Sequence, residues 1–195
     1  MAEAQAVLGQ MLLDEGRAAE GFAWFNKAAA QGHLMALNMV GRCYDLGWGV
    51  AVDKPRAAEC FRIAAERGLE WGMYNYATSL TLGEGVAEDR PAALGWFEKA
   101  AAMGNAKAIN YIGSFHEDGW VVAKDMAKAA EFYARAAEGG DFRGAFNHAR
   151  MLAEAGRIDA ARGWIARCFE TATPAFVAKS RAFLAASPWT ELRAC

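Results

Sequence analysis

The chain has no block of like charge. Its 21 basic and 23 acidic residues are spread over 195 positions and leave a formal net charge of −2. The electrostatic footprint of a nucleic-acid binder is therefore missing, and no nucleic-acid partner is expected. No apolar run reaches the roughly 18 residues that a membrane-spanning helix needs, so no membrane insertion is expected. The opening stretch MAEAQAVLGQ lacks the charged start, apolar centre and cleavage site of an export signal. Cysteine is scarce: Cys43, Cys60, Cys168 and Cys195 show no CxxC spacing. They are expected to be free thiols of a cytoplasmic protein, with a periplasmic or secreted location following only if a leader has been removed. Catalytic signatures are also missing. There is no HExxH, no GxSxG, no phosphate-cradling glycine loop and no metal-spaced Cys/His cluster, so no enzyme activity, cofactor or metal is expected.

What the chain does have is a period. Gly32, Gly68, Gly104 and Gly140 are spaced by 36 residues, as are Ala28, Ala64, Ala100 and Ala136. The same step joins Phe25, Phe61, Phe97 and Tyr133, and it joins Asp53, Asp89 and Asp125. Gly47, Gly83 and Gly119 form a further column. A register held across so many columns means one supersecondary unit used several times.

Each unit reads as helix, loop, helix. In LMALNMVGRCYDLG, small or apolar residues recur at Ala36, Leu37, Val40, Gly41 and Tyr44 with a helical period. After the glycine loop, Asp53 stands at a helix N-cap with Pro55 in the first turn, and Asp89 with Pro91 repeats the arrangement. RAAECFRIAAERG then places Ala57, Phe61, Ala64 and Ala65 on one stripe, and Gly68 follows as a left-handed cap. Asn105 and Asp141 are good caps for the next units, whereas His33 and Leu69 read as poor ones. Small residues at Gly41, Ala77, Gly113 and Ala149 should let the paired helix approach, with Phe61, Phe97 and Tyr133 filling the space beside them.

The pattern GRCYDLGWGVAVDKPRAAECFRIAAERG resembles the Sel-one-like repeat, a longer-looped relative of the tetratricopeptide repeat. TLGEGVAEDRPAALGWFEKAAAMG and EDGWVVAKDMAKAAEFYARAAEGG carry it again, although Val121 replaces the second loop glycine and His116 replaces the tyrosine. The resemblance implies an all-α, right-handed α-solenoid, a superhelix of five helix-loop-helix repeats in one domain. The repeats fall near 1–32, 33–68, 69–104, 105–140 and 141–172, the first and last with shortened loops. A capping helix is expected over 174–186, with Phe176, Val177, Phe183 and Leu184 as its buried stripe. The other helices are expected over 4–13, 17–31, 34–46, 53–67, 70–82, 89–103, 106–118, 125–139, 142–155 and 157–169, with no sheet.

By the same resemblance the first helix of each repeat lines a concave groove. Residues expected there are Asn38 and Arg42, then Trp71, Tyr74 and Asn75. Asn110 and Tyr111 follow, then Arg143, Phe146, Asn147 and Arg150. Asparagine offers a donor and an acceptor to a peptide backbone, aromatics offer contact area, and arginine offers pairing for acidic side chains. The expected function is a non-catalytic scaffold or adaptor, acting as a monomer and holding a protein or peptide partner in this groove. Trp48 and Trp120, flanked by loop glycine, either fold over an adjacent repeat or form a second aromatic edge for a partner. The alternative is a hydrolase-like enzyme at a His116/His148 pair. Two histidines without a thiol or carboxylate in register read more simply as packed structural residues, with Glu117 and Asp118 facing solvent.

Overall fold

The computed structural model describes residues 1–193 and 195. Among them are eleven α-helices and no strand: α1 (Ala2–Asp14), α2 (Ala18–Ala30), α3 (Leu34–Leu46), α4 (Lys54–Glu66) and α5 (Glu70–Leu82). Next come α6 (Arg90–Ala102), α7 (Ala106–Asp118), α8 (Met126–Glu138) and α9 (Phe142–Glu154). The last two are α10 (Ile158–Thr171) and α11 (Pro174–Ala186), followed by a short 3₁₀ turn, Thr190–Leu192. They form two compact units. Met1–Met103 holds the hairpins α1–α2, α3–α4 and α5–α6, and Gly104–Cys195 holds α7–α8, α9–α10, α11 and the turn.

The repeated aspartate explains how each long loop closes. The backbone N–H of Asp53, Asp89 and Asp125 donates to the carbonyl of Tyr44, Leu80 and His116, each at 2.9 Å. The carboxylate of the same residue then accepts from Arg56 N, Ala92 N or Lys128 N at 2.9–3.0 Å and starts the second helix. One residue thus ends the loop and caps the helix.

The second loop glycine is there for room. A Cβ at Gly49 would run into the Ala18 carbonyl, and one at Gly85 into the Lys54 carbonyl, each at the start of the preceding repeat's second helix. Both glycines have φ above +70°. Val121, in the corresponding position of the third long loop, keeps that backbone with φ 64°. Val122 N donates back to Trp120 O at 2.6 Å, which closes a tight γ-turn around Val121.

Helix pairs close on the small-residue column as expected. A Cβ on Gly41 would lie 2.6 Å from Phe61 Cε1, and one on Gly113 2.7 Å from Tyr133 Cε1. Ala77 and Ala149 are buried at the same level. Two local expectations are corrected. His33 does cap its helix, because its Nδ1 accepts from Ala36 N at 3.1 Å while Nε2 meets Glu3. The buried stripe of α11 is Ser180 and Leu184, with Phe176 and Val177 half-buried, whereas Phe183 is 45% exposed. The tail beyond α11 also carries weight that the repeat pattern missed. Leu192 is buried with Ala149, Leu152, Ile165 and Leu184, and Trp189 packs against the cluster.

Candidate protein-binding surface

Asn38 on α3 and Asn75 on α5 are joined by a hydrogen bond from Asn75 Nδ2 to Asn38 Oδ1 at 2.8 Å. In the second unit Asn147 on α9 donates to Asn110 Oδ1 on α7 at 2.9 Å. The two pairs repeat because Asn38 and Asn110 share one column and Asn75 and Asn147 the next. Asn38 and Asn110 are buried, while Asn75 and Asn147 are half-buried. A buried amide without a partner is costly, so each inner asparagine fixes the orientation of its outer neighbour. The outer residue keeps an acceptor oxygen and a second amide hydrogen.

In the first unit Trp71 meets Tyr74 edge-on at 6.1 Å, and Tyr74 leans on Phe97 at 6.1 Å. The Arg42 guanidinium lies 4.7 Å over the Trp48 ring. Trp48 itself packs against the core cluster of Phe25, Met39 and Cys43. In the second unit the Trp120 ring meets Phe115 at 5.7 Å, and both Trp48 and Trp120 are half-buried.

Arg150 is engaged within the chain. Its Nη2 reaches Glu117 Oε2 at 2.7 Å and its Nη1 reaches Glu154 at 3.4 Å. Tyr133 donates its hydroxyl to the same Glu117 oxygen at 2.6 Å. Glu117 therefore turns inward and does not face solvent as its sequence context suggests; Asp118 does face solvent. Burial alone would raise the Glu117 pKa, but the hydrogen bonds from Arg150 and Tyr133 outweigh it and hold the carboxyl below its ordinary range.

Four of the expected residues converge on one pocket in the second unit, of about 520 Å³. Asn110, Arg143, Phe146 and Asn147 form one side, and Phe176, Lys179 and Phe183 of α11 the other. Phe146 meets Phe176 and Phe183, each at 5.8 Å. Arg143 spreads over the Phe142 and Phe176 rings at 4.8 and 5.9 Å. Among the described residues no acidic side chain lines this pocket. Tyr111 sits half-buried on α7. The α11 wall reads from sequence only as a cap, although the interleaving of Phe176, Lys179 and Phe183 was a usable signal.

His116 stacks on Phe132 at 5.5 Å and His148 meets Trp164 edge-on at 5.3 Å, each within its own hairpin. Nδ1 of both rings is buried without a hydrogen-bond partner. Burial, helped by Arg157, pushes the His148 pKa down. The rings act as packing faces, an arrangement that gives a hydrolase reading no support. Among the described residues no group of His, Cys, Asp or Glu could hold a metal ion. A further regularity went unread in the sequence. Lys27, Lys99, Arg135 and Arg167 lie over Trp24, Trp96, Phe132 and Trp164 at 4.0, 4.1, 5.3 and 4.8 Å. On each of these second helices the cation follows its aromatic by three positions. That spacing puts both side chains on one helix face, where the positive charge is drawn to the electron-rich ring.

The sequence profile of the Sel1 repeat matches residues 2–33, 34–69, 72–105 and 106–141. The chain belongs to the Sel1 repeat family. It is similar to a solved Sel1 repeat protein from Oxalobacter formigenes at 24% identity and TM-score 0.80, over 100% of this chain and 84% of that one. Similarity to c5321, a protective antigen of uropathogenic Escherichia coli with an SLR fold, covers 99% of this chain and 44% of that one. There the identity is 27% and the TM-score 0.73. An immunity protein of Pseudomonas aeruginosa, Pa5087, shares the fold at 19% identity and TM-score 0.68, over 99% of this chain and 74% of that one. No curated protein matches. The α9–α10 hairpin lies beyond the last matched residue. Among the described residues no helix is long and apolar enough to cross a membrane.

Proposed function

We propose that this Sel1 repeat chain is a non-catalytic scaffold that binds a protein or peptide partner on the surface that the first helices form within each unit. The observation that carries this is the asparagine pairing. Asn75 and Asn147 are held by buried neighbours, so their free amide groups present a fixed donor and acceptor beside Tyr74 and Trp71, or beside Phe146. Groups fixed before binding lose little entropy on binding, which favours affinity. Membership of a family of interaction scaffolds supports the same role. Arg42 and Arg150 brace the surface through Trp48 and Glu117, and Arg143 is the cation left to meet an acidic partner.

The test is a partner trapped by a photo-crosslinking residue at position 75 or 147 and then titrated against purified variants. Tyr74→Ala combined with Asn75→Ala should weaken a partner of the first unit roughly 30-fold, about 2 kcal/mol. Full affinity in that variant would remove the first-unit face, and full affinity in Phe146→Ala with Asn147→Ala as well would sink the proposal and turn attention to the loop edge at Trp48 and Trp120.

A further inference from the structure

The pocket between α9 and α11 has a polarity along its length. Arg143 and Lys179 are its cations, and neither has an ion-pair partner among the described residues. Asp141, whose charge Arg143 feels, is buried and already caps α9 through Gly144 N. One turn further along α11, Phe183 is 45% exposed against Phe146. An apolar ring left in water there is stabilised by whatever covers it. Asn147 also lines the pocket, with its oxygen and second amide hydrogen unused by Asn110.

We propose that this pocket selects the partner, taking an extended segment with an acidic side chain at one position and a large apolar side chain two positions on, an assignment that rests on the protein-binding role above. Charge complementarity fixes the first position, since two cations and, among the described residues, no acid line the pocket. Spacing fixes the second. Lys179 and Phe183 are one helical turn apart, about 6 Å along the axis, and same-side residues of an extended chain lie about 6.6 Å apart. The carboxylate then meets Lys179 and Arg143 while the apolar side chain covers Phe183. The intervening peptide group bonds to Asn147.

The probe is a peptide Ser-Glu-Ser-Phe-Ser, acetylated and amidated so that it has no terminal charge, titrated into the full chain and followed by backbone amide chemical shifts. Saturable shifts at Arg143, Asn147, Lys179 and Phe183 are expected. Replacing its Glu by Gln, or its Phe by Ala, should each weaken binding about tenfold. Lys179→Gln should weaken the Glu peptide about as much and leave the Gln peptide unchanged. Equal binding of the Glu and Gln peptides, or no saturation, overturns the assignment. Shifts at Tyr74 and Asn75 instead would overturn the pocket and leave the wider protein-binding role standing. Loss of partner binding in Phe183→Ala but not in Tyr74→Ala with Asn75→Ala would support the pocket.

Discussion

Asn147 reaches Asn110 across neighbouring first helices at 2.9 Å, and Asn75 reaches Asn38 in the same way at 2.8 Å. The inner member of each pair is buried and the outer one is partly open to solvent. Replacing the inner one is therefore a structural change before it is a functional one. Asn110→Ala should cost about 1–2 kcal/mol, because it removes a satisfied buried bond and frees the Asn147 side chain. Thermal melts of Asn110→Ala and Asn147→Ala compare the two. Asn147→Ala should lose stability as well, because it leaves the buried Asn110 oxygen without its donor, and no loss in either variant would contradict the pairing.

The glycines inside helices divide into two kinds. Gly113 faces the buried Tyr133 ring, and a Cβ there would sit 2.7 Å from Cε1. Tyr133 is tied to Glu117 and cannot swing aside, so Gly113→Ala should destabilise by roughly 1–3 kcal/mol. Gly163 has nothing within 4 Å of its would-be Cβ. Gly163→Ala should stabilise by about 0.5–1 kcal/mol, since alanine loses less backbone entropy in a helix. Chemical denaturation of both variants checks the opposite signs.

Val121 is the one described residue other than glycine with positive φ. A β-branched side chain there costs on the order of 1 kcal/mol or more. Val121→Gly restores the residue found at positions 49 and 85, and Val121→Asn relieves the strain with less gain of unfolded-state entropy. Asn should therefore raise the melting temperature at least as much as Gly. A fall in both variants would mean that the valine side chain contributes more than its backbone strain costs.

Acid should act on the second unit through Glu117. Its folded pKa lies below its unfolded one, so its contribution is complete above the ordinary carboxylate pKa and is lost as pH falls through the lowered value. Wild type should then lose stability below about pH 4.5 more steeply than Glu117→Gln. Asp141 has the opposite sign: burial pushes its pKa up despite the bond from Gly144 N, so its ionisation costs stability as pH rises. Asp141→Asn, which copies the cap at Asn105, should be the more stable protein at neutral pH. Melts of the single variants across a range of about pH 3–7 separate the two effects, and parallel curves for wild type and Glu117→Gln would refute the first.

The helices and their order are written in the chain itself. The 36-residue step, the aspartate caps and the glycine breaks are local signals, because capping and left-handed turns are satisfied by residues a few positions apart. The Gly41 and Gly113 contacts are legible there too, since a small residue and an aromatic recurring in one register must face each other. His33 escaped because histidine is an uncommon cap whose ring nitrogen happens to be placed to accept. Leu192 and Trp189 escaped because they lie outside any period. Packing between hairpins settled a different matter, namely which polar groups are spent within the chain. Asn38 and Asn75 looked equivalent, as did Arg143 and Arg150, until neighbouring helices buried one asparagine of each pair and placed Glu117 against Arg150. Hydrogen bonds between residues 33 to 37 positions apart depend on how adjacent hairpins pack, and no local pattern of residue types fixes that.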